Sequence, residues 1–271
     1  MRRTVPRMSG ISQPSRVAGD VGDAPSSVLH IGSAHSVVAF PSTTRITVLD
    51  PAMAATAQMQ QRFDCVVLGA HTILDSADRR AVLHAAMQHL HRRGRLVVLH
   101  PASVELSLPE LSALDLTAHS QVPVGELIAS VFCRGDRVTV HDLVFEARSH
   151  LQRIHPATLS AELGSPQPPL IVDTRTPSDR ARFGTIAGSV HLPRTVVEWR
   201  LDPANGYLHP AVEGFGQRLV LVCNHGYSSS LAAANLQSLG YLRATDLVGG
   251  IRAWQQAGFA LVPPDHTFLE L

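Results

Sequence analysis

The chain has 271 residues, of which 45% are hydrophobic and 17% are charged, and its formal net charge is +1. This length predicts two domains, and the composition excludes a fibrous or wholly disordered chain. The small net charge gives no reason to expect nucleic acid or an anionic membrane as a partner. All 23 basic residues are arginines, which excludes lysine chemistry such as a Schiff base.

The three cysteines, Cys65, Cys133 and Cys223, lie far apart and lack the spacing of metal ligands. We therefore expect no metal site and a reducing compartment, because an odd number of scattered cysteines does not form a disulfide framework. No apolar run is long enough to cross a membrane, and none follows the arginine-rich start as in an export signal. These features predict a cytoplasmic protein with a flexible tail over residues 1–26.

Residues 27–136 alternate short apolar runs with helical patterns. The predicted strands are 28–32, 45–50, 63–69 and 95–99, and the predicted helices are 52–61 and 76–91. Gly94 is expected to stop the second helix. Strands that alternate with helices predict an α/β domain with a Rossmann-like, parallel, doubly wound sheet.

This first domain resembles the class I methyltransferases that use S-adenosylmethionine. Gly32 stands where their first strand meets the glycine loop, and Asp50 stands where an acidic residue ends their second strand. The interval is near the roughly 20 residues expected if the carboxylate is to reach ribose hydroxyls. A nucleotide loop needs several glycines, however, and residues 32–36 contain one. We therefore expect a degenerate domain without a cofactor, with S-adenosylmethionine bound through Gly32 and Asp50 as the alternative.

The pattern between residues 101 and 136 is less regular. Its leucines from 106 to 116 predict a short helix and a strand that complete the first sheet, and residues 125–133 predict another helix. An amphipathic helix over 140–154 leads into the second domain. We place the boundary near residue 137, so that residues 27–136 and 137–271 form the two domains.

The most informative stretch of the chain surrounds Cys223. Four apolar residues, 219–222, precede it, and a Gly/Ser/Asn segment then leads into an Ala/Leu-rich run, which predicts a strand, a tight loop and a helix. A cysteine at this junction faces unpaired backbone N–H groups and the positive end of a helix dipole, which favour the thiolate. Cys223 is therefore the predicted nucleophile, and a small buried hydrophobic residue is the alternative.

This region resembles the rhodanese, or thiosulfate sulfurtransferase-like, family over roughly residues 155–264. Segments 170–175, 184–193 and 247–258 resemble the family's Asp-x-Arg strand end, its Gly-His-Ile-x-Gly-Ala element and its closing Gly-Gly-x-x-Ala-Trp segment. Thr185 stands where the family usually has histidine. The resemblance implies a rhodanese α/β domain whose active loop comprises Cys223, Asn224, His225, Gly226, Tyr227, Ser228 and Ser229.

The resemblance implies ping-pong sulfur transfer through a persulfide on Cys223. The donor would be thiosulfate, mercaptopyruvate or a protein persulfide, and the acceptor would be cyanide or a thiol, including a protein thiol. Loop N–H groups would hold the anionic sulfur. No arginine ends the loop, which disfavours the phosphatase and arsenate reductase chemistry of related proteins.

The resemblance also places Asp173 and Arg175 near the loop as supporting residues. Arg175 either forms a buried ion pair or contacts the substrate, and His225 either acts as a general acid/base or faces solvent. Two alternative functions stay open. The first is a catalytically silent regulatory or interaction protein, and the second is a methyltransferase with a rhodanese module.

Overall fold

The computed structural model describes residues 25–32, 43–49, 61–69, 79–104 and 108–264. The chain divides into two compact units, Met1–Val138 and Thr139–Leu271. Most of the predicted tail and of the predicted helix over 52–61 lie outside the described residues. Within the described ranges, no helix combines the length and the apolar character that a membrane crossing requires.

The first unit is built on a six-stranded mixed sheet with the strand order β2-β1-β3-β4-β6-β5. Strands β2, β1, β3 and β4 are parallel, and β6 runs antiparallel to both β4 and β5. Strand β2 lies on one side of β1 and strands β3 and β4 lie on the other, as in doubly wound sheets. The Rossmann-like α/β prediction is therefore confirmed, with an antiparallel pair added. The elements are β1 (Ser27–Ile31), β2 (Arg45–Leu49), β3 (Phe63–Leu68), α1 (Arg79–His89), β4 (Leu90–Pro101), α2 (Leu108–Ala113), β5 (Leu116–Val124) and β6 (Leu127–Arg134).

The predicted helix over residues 125–133 is wrong, because Leu127–Arg134 is strand β6. Gly125, at φ +60°, lies in the two-residue turn that pairs Val124 with Leu127 across the β5–β6 hairpin. A short, mostly apolar run fits a buried strand and a helix equally well by periodicity. The pairing of β6 with a strand on each side decides between them.

Of the two residues that would bind S-adenosylmethionine, Gly32 lies within the described residues and Asp50 does not. Gly32 is buried directly after β1 and has φ +141°. Asp50 lies outside the described residues, as do residues 33–42. Binding of that cofactor through Gly32 and Asp50 therefore stays an alternative to the predicted domain without a cofactor.

The second unit has a four-stranded parallel sheet in the order β10-β9-β7-β8. Parallel strands end at the same edge, which brings Asp173, His191, Val222 and Asp246 to one side of the unit. The elements are α3 (Val140–His150), α4 (Pro156–Leu163), β7 (Leu170–Asp173), α5 (Pro177–Phe183), β8 (Val190–His191), α6 (Val197–Leu201), β9 (Leu219–Val222), α7 (Ser228–Ser238), β10 (Thr245–Asp246) and α8 (Gly250–Gln256).

Local sequence explains how α3 begins. The hydroxyl of Thr139 accepts the N–H of Asp142, and the Asp142 carboxylate accepts the N–H of Thr139, which forms a capping box. The helix ends at His150, four residues before the predicted end, and Ile154 instead forms a β-bridge with Leu247.

Apolar side chains cover both faces of the second sheet. Leu219 and Leu221 belong to one core cluster, and Val220 and Val222 belong to the other. This alternation follows from the period of two in a strand, and burial on both faces is usual for a parallel sheet. Trp254, which fits the helical spacing of a core residue, packs in the second cluster and is only 4% exposed.

Candidate active site

Cys223 follows the last residue of β9 and opens a short loop that enters α7 at Ser228. The predicted order of strand, loop and helix is therefore confirmed. The N–H of Gly226 donates to the Cys223 sulfur at 3.1 Å, and the Ser229 hydroxyl lies 3.1 Å from the same atom. The cysteine is 7% exposed. Its sulfur is thus held by polar groups of the loop at the edge of the sheet.

The N-terminus of α7 adds further donors beside this sulfur. Within the described part of the chain, the N–H groups of Tyr227, Ser228 and Ser229 have no acceptor. Unpaired amides at the first turn of an eleven-residue helix carry the positive end of its dipole. This arrangement favours an anion at the position of the cysteine sulfur.

A pair of glycines lets α8 approach the loop closely. The first amides of α8 reach the loop carbonyls: the N–H of Ile251 donates to Cys223 O at 2.9 Å, and that of Arg252 donates to Asn224 O at 3.1 Å. Gly250 has φ +60°, and a Cβ placed there would lie 2.2 Å from the Cys223 carbonyl oxygen. The close contact therefore requires glycine at this position.

A buried ion pair lies behind the loop. Asp246, at the end of β10, accepts from Arg153 Nε at 2.7 Å and Nη2 at 3.0 Å, and the two side chains are 0% and 1% exposed. The Asp246 carboxylate also accepts the hydroxyls of Ser229 at 3.1 Å and Ser230 at 2.8 Å. Ser229 therefore connects the cysteine sulfur to a buried carboxylate.

A second arginine reaches the loop from α3. Arg148 Nη2 donates to Gly226 O at 2.6 Å, and its guanidinium lies over the Tyr227 ring, 5.1 Å from the ring centre. Burial lowers the pKa of Arg148 to about 10, and the nearby charge of Arg153 contributes to the same effect. Arg148 therefore still carries its positive charge at neutral pH.

The predicted supporting residues form a separate buried cluster. Arg175 donates to Asp173 from Nε at 2.9 Å and from Nη2 at 2.6 Å, and both side chains are 1% exposed. The Thr185 hydroxyl donates to Asp173 at 3.0 Å, and Arg175 also donates to Gly184 O. Asp173 and Arg175 make no hydrogen bond with Cys223 among the described residues, and their functional roles stay predictions.

The remaining loop residues have different environments. The Asn224 amide donates to Asp179 at 2.9 Å, which ties the loop to α5. His225 is exposed at the loop surface. Ser228 is partly buried, and its side chain makes no hydrogen bond with another described residue.

Sequence reasoning did not identify Arg148, Arg153, Asp179, Ser230 and Asp246 as residues around the site. The local sequence carries no strand signal at Asp246, because its strand comprises only Thr245 and Asp246. Arg148 carries none either, since it lies 78 positions before the carbonyl that it binds. Only the packing of α3 against the loop brings it there.

Known proteins are similar in sequence to this second unit. The model of the rhodanese-like domain family matches residues 155–257. A sulfurtransferase of Allochromatium vinosum is 30% identical over 115 residues, which are 42% of this chain and 98% of that protein. The adenylyltransferase and sulfurtransferase MOCS3-2 of Zea mays is 32% identical over 90 residues. That match covers 33% of this chain and only 18% of the maize protein.

Two solved structures are also similar to parts of the chain. A protein of unknown function from Rhodopseudomonas palustris, described as a possible tyrosine phosphatase, has 27% identity and a TM-score of 0.44. That match covers 48% of this chain and 98% of the other. The N-methyltransferase NodS of Bradyrhizobium japonicum has 18% identity and a TM-score of 0.34, and covers 45% of this chain and 92% of its own. It matches the N-terminal half weakly, and we draw no conclusion about activity from either structure.

Proposed function

This chain belongs to the rhodanese-like family through its second unit, and on that premise we propose that it is a sulfurtransferase whose sulfur-carrying residue is Cys223. The observation that carries this proposal is the environment of the Cys223 sulfur. The sulfur lies between the Gly226 N–H and the Ser229 hydroxyl, beside unpaired amides of α7. The Gly226 N–H and the unpaired amides of α7, which the fold holds in place, stabilise an anionic sulfur before and after it accepts a second sulfur atom.

The proposed reaction has two steps. The Cys223 thiolate attacks the outer sulfur of thiosulfate, a new S–S bond forms, the donor's own S–S bond breaks, and sulfite leaves with the bonding electron pair. The cysteine then carries a persulfide anion. Cyanide or a thiolate next attacks the terminal sulfur, and Cys223 leaves as the thiolate, which returns the protein to its first state.

The same steps accommodate a protein persulfide as donor, whose own thiolate then leaves, and a protein thiol as acceptor. With mercaptopyruvate as donor the C–S bond breaks instead, and the enolate of pyruvate leaves with the bonding electron pair and takes up a proton. No bound cofactor is needed for these steps, because the cysteine itself carries the sulfur. All three cysteines of the chain are unpaired, which supports a reducing, cytoplasmic environment. The described loop residues after Cys223 include no arginine to clamp a phosphate, so we do not extend the proposal to phosphate esters.

Intact-protein mass after incubation with thiosulfate or a persulfide donor tests the proposal. We expect the wild-type protein to gain one sulfur atom, which cyanide then removes as thiocyanate. Cys223→Ser should gain none, and Cys133→Ser, the matched control at a partly exposed cysteine, should behave as wild type. A wild-type protein that gains no sulfur from any donor would contradict the proposal and favour a catalytically silent interaction protein.

A further inference from the structure

The Gly226 carbonyl is bound by arginines from outside the loop. Arg148 Nη2 donates to it at 2.6 Å, and Arg153 Nη2 donates to it at 3.2 Å. Arg148 Nε also donates to the hydroxyl of Ser230 at 3.2 Å, and that hydroxyl lies 3.0 Å from the same carbonyl. The two arginines therefore determine the direction in which this peptide group points.

The direction of the Gly226 carbonyl also sets the direction of the next amide in the loop. In a planar trans peptide the carbonyl and the following N–H point in opposite directions. Because the Gly226 carbonyl faces the arginines, the N–H of Tyr227 points away from them. The Cys223 carbonyl likewise faces the N–H of Ile251, so the N–H of Asn224 points away from α8.

The same residues also place a positive charge behind the loop. Arg153 pairs with Asp246, and Arg148 donates to the neighbouring Gly226 carbonyl, so these three side chains together carry a formal charge of +1. Charges in a partly buried environment act more strongly than on the surface, since the effective dielectric constant is lower. The charge of Arg148 interacts favourably with a negative sulfur on Cys223 as well as with Asp246.

We propose that Arg148 is a positioning residue for sulfur transfer. It holds the Gly226 carbonyl so that the loop amides face the sulfur, and it supplies from α3 the cation that residues 224–230 lack. This inference rests on the proposed sulfurtransferase function. It concerns Arg148 rather than Arg153, because Arg153 forms a fully buried ion pair with Asp246, and its removal would leave a buried carboxylate unpaired.

Three variants of the full chain test the inference. Arg148→Met removes the charge and the hydrogen bonds but keeps a long side chain over Tyr227. Arg148→Lys restores the charge and one donor. Arg218→Met is the matched control, because it removes an arginine of the same unit that pairs with Glu162 at 2.6 Å.

Two rates are measured on each variant. One is alkylation of Cys223 by iodoacetamide, followed by peptide mapping so that the other cysteines do not interfere, and the other is sulfur uptake from thiosulfate. We expect Arg148→Met to slow both rates about tenfold, the effect of one hydrogen bond to a charged group. Arg148→Lys should recover part of the loss, and Arg218→Met should match wild type.

The outcomes separate this inference from the proposed function. Equal alkylation rates in wild type and Arg148→Met would overturn the positioning role. A loss of equal size in Arg218→Met would overturn it as well, since the effect would then be general destabilisation. A wild-type protein that is alkylated but takes up no sulfur would contradict the sulfurtransferase proposal, and the alkylation rates would still decide the role of Arg148.

Discussion

Substitution of Gly250 by alanine tests whether the close approach of α8 holds the active loop in place. An alanine Cβ would lie 2.2 Å from Cys223 O and 2.8 Å from the carbonyl carbon of Asn224, both of them backbone atoms that cannot move without the loop. The positive φ of +60° adds a cost of about 1–2 kcal/mol for any residue with a Cβ. Relief of the overlap by backbone movement costs about 1–3 kcal/mol more.

Gly258→Ala is the matched control for this prediction. Gly258 has φ +80°, so it shares the backbone cost, but an added Cβ would meet nothing within 4 Å. We therefore expect Gly250→Ala to lower the free energy of unfolding by about 1–3 kcal/mol more than Gly258→Ala does. Movement of the loop by roughly 1 Å should also slow sulfur uptake by about 100-fold in Gly250→Ala alone.

Urea denaturation, monitored by tryptophan fluorescence, measures the free energy of unfolding. Both tryptophans of the chain, Trp199 and Trp254, lie in the second unit, so the signal reports that unit by itself. Intact-protein mass as a function of time measures sulfur uptake. Equal stability losses in the two variants, together with wild-type uptake by Gly250→Ala, would refute the claim that α8 holds the loop through this contact.

Three further predictions concern the same unit. Ser229→Ala should slow alkylation of Cys223 by iodoacetamide about tenfold, because it removes the hydroxyl that can turn its one proton from Asp246 to the thiolate, and Ser228→Ala should not change this rate; peptide mapping over time measures both. Asp173→Asn should destabilise the unit by about 3–5 kcal/mol in urea, because it leaves buried guanidinium groups without a carboxylate. Glu162→Gln, at a more exposed pair, should cost less than about 1 kcal/mol, and similar losses in the two variants would contradict this explanation. Burial is the main cause that lowers the pKa of His209 below its ordinary value of 6.5, and the nearby charge of Arg200 adds to it. The unfolded state therefore binds more protons than the folded state, and the unit loses stability as the pH falls through that value. His209→Asn keeps a hydrogen-bond acceptor without a titrating ring. Between about pH 7.5 and 5.5 its free energy of unfolding, measured in urea, should fall less than that of wild type, and the same pH dependence in both proteins would exclude this histidine as the cause.

Much of the second unit was predictable because the sequence patterns of its strand, loop and helix around Cys223 lie next to one another in the chain. The apolar strand before Cys223, the polar loop and the Ala/Leu-rich helix follow one another along the chain. Each depends on the backbone preferences of neighbouring residues. The similarity of three further segments to one family then predicted the strand that ends at Asp173 and the closing segment that contains the glycine pair.

The first unit shows where pattern reasoning fails. Residues 127–132 are mostly apolar, and their spacing suits a helix or a strand, so the choice depended on neighbours that the local sequence does not contain. Two adjacent strands bind this segment through their backbones, and a helix would leave the donors and acceptors of both strands unpaired. The hairpin turn at Gly125 was the one local feature that favoured the strand.

The amino-acid sequence alone determined the order of elements in the rhodanese-like unit and the identity of the cysteine at its strand end, because those features depend on residues close together in the chain. Tertiary structure alone decided what surrounds that cysteine. Arg148 binds a carbonyl 78 residues away, and Arg153 binds a carboxylate 93 residues away. Such contacts arise only when helices and strands pack, since hydrogen bonds and ion pairs act through distance in space and not through distance along the chain.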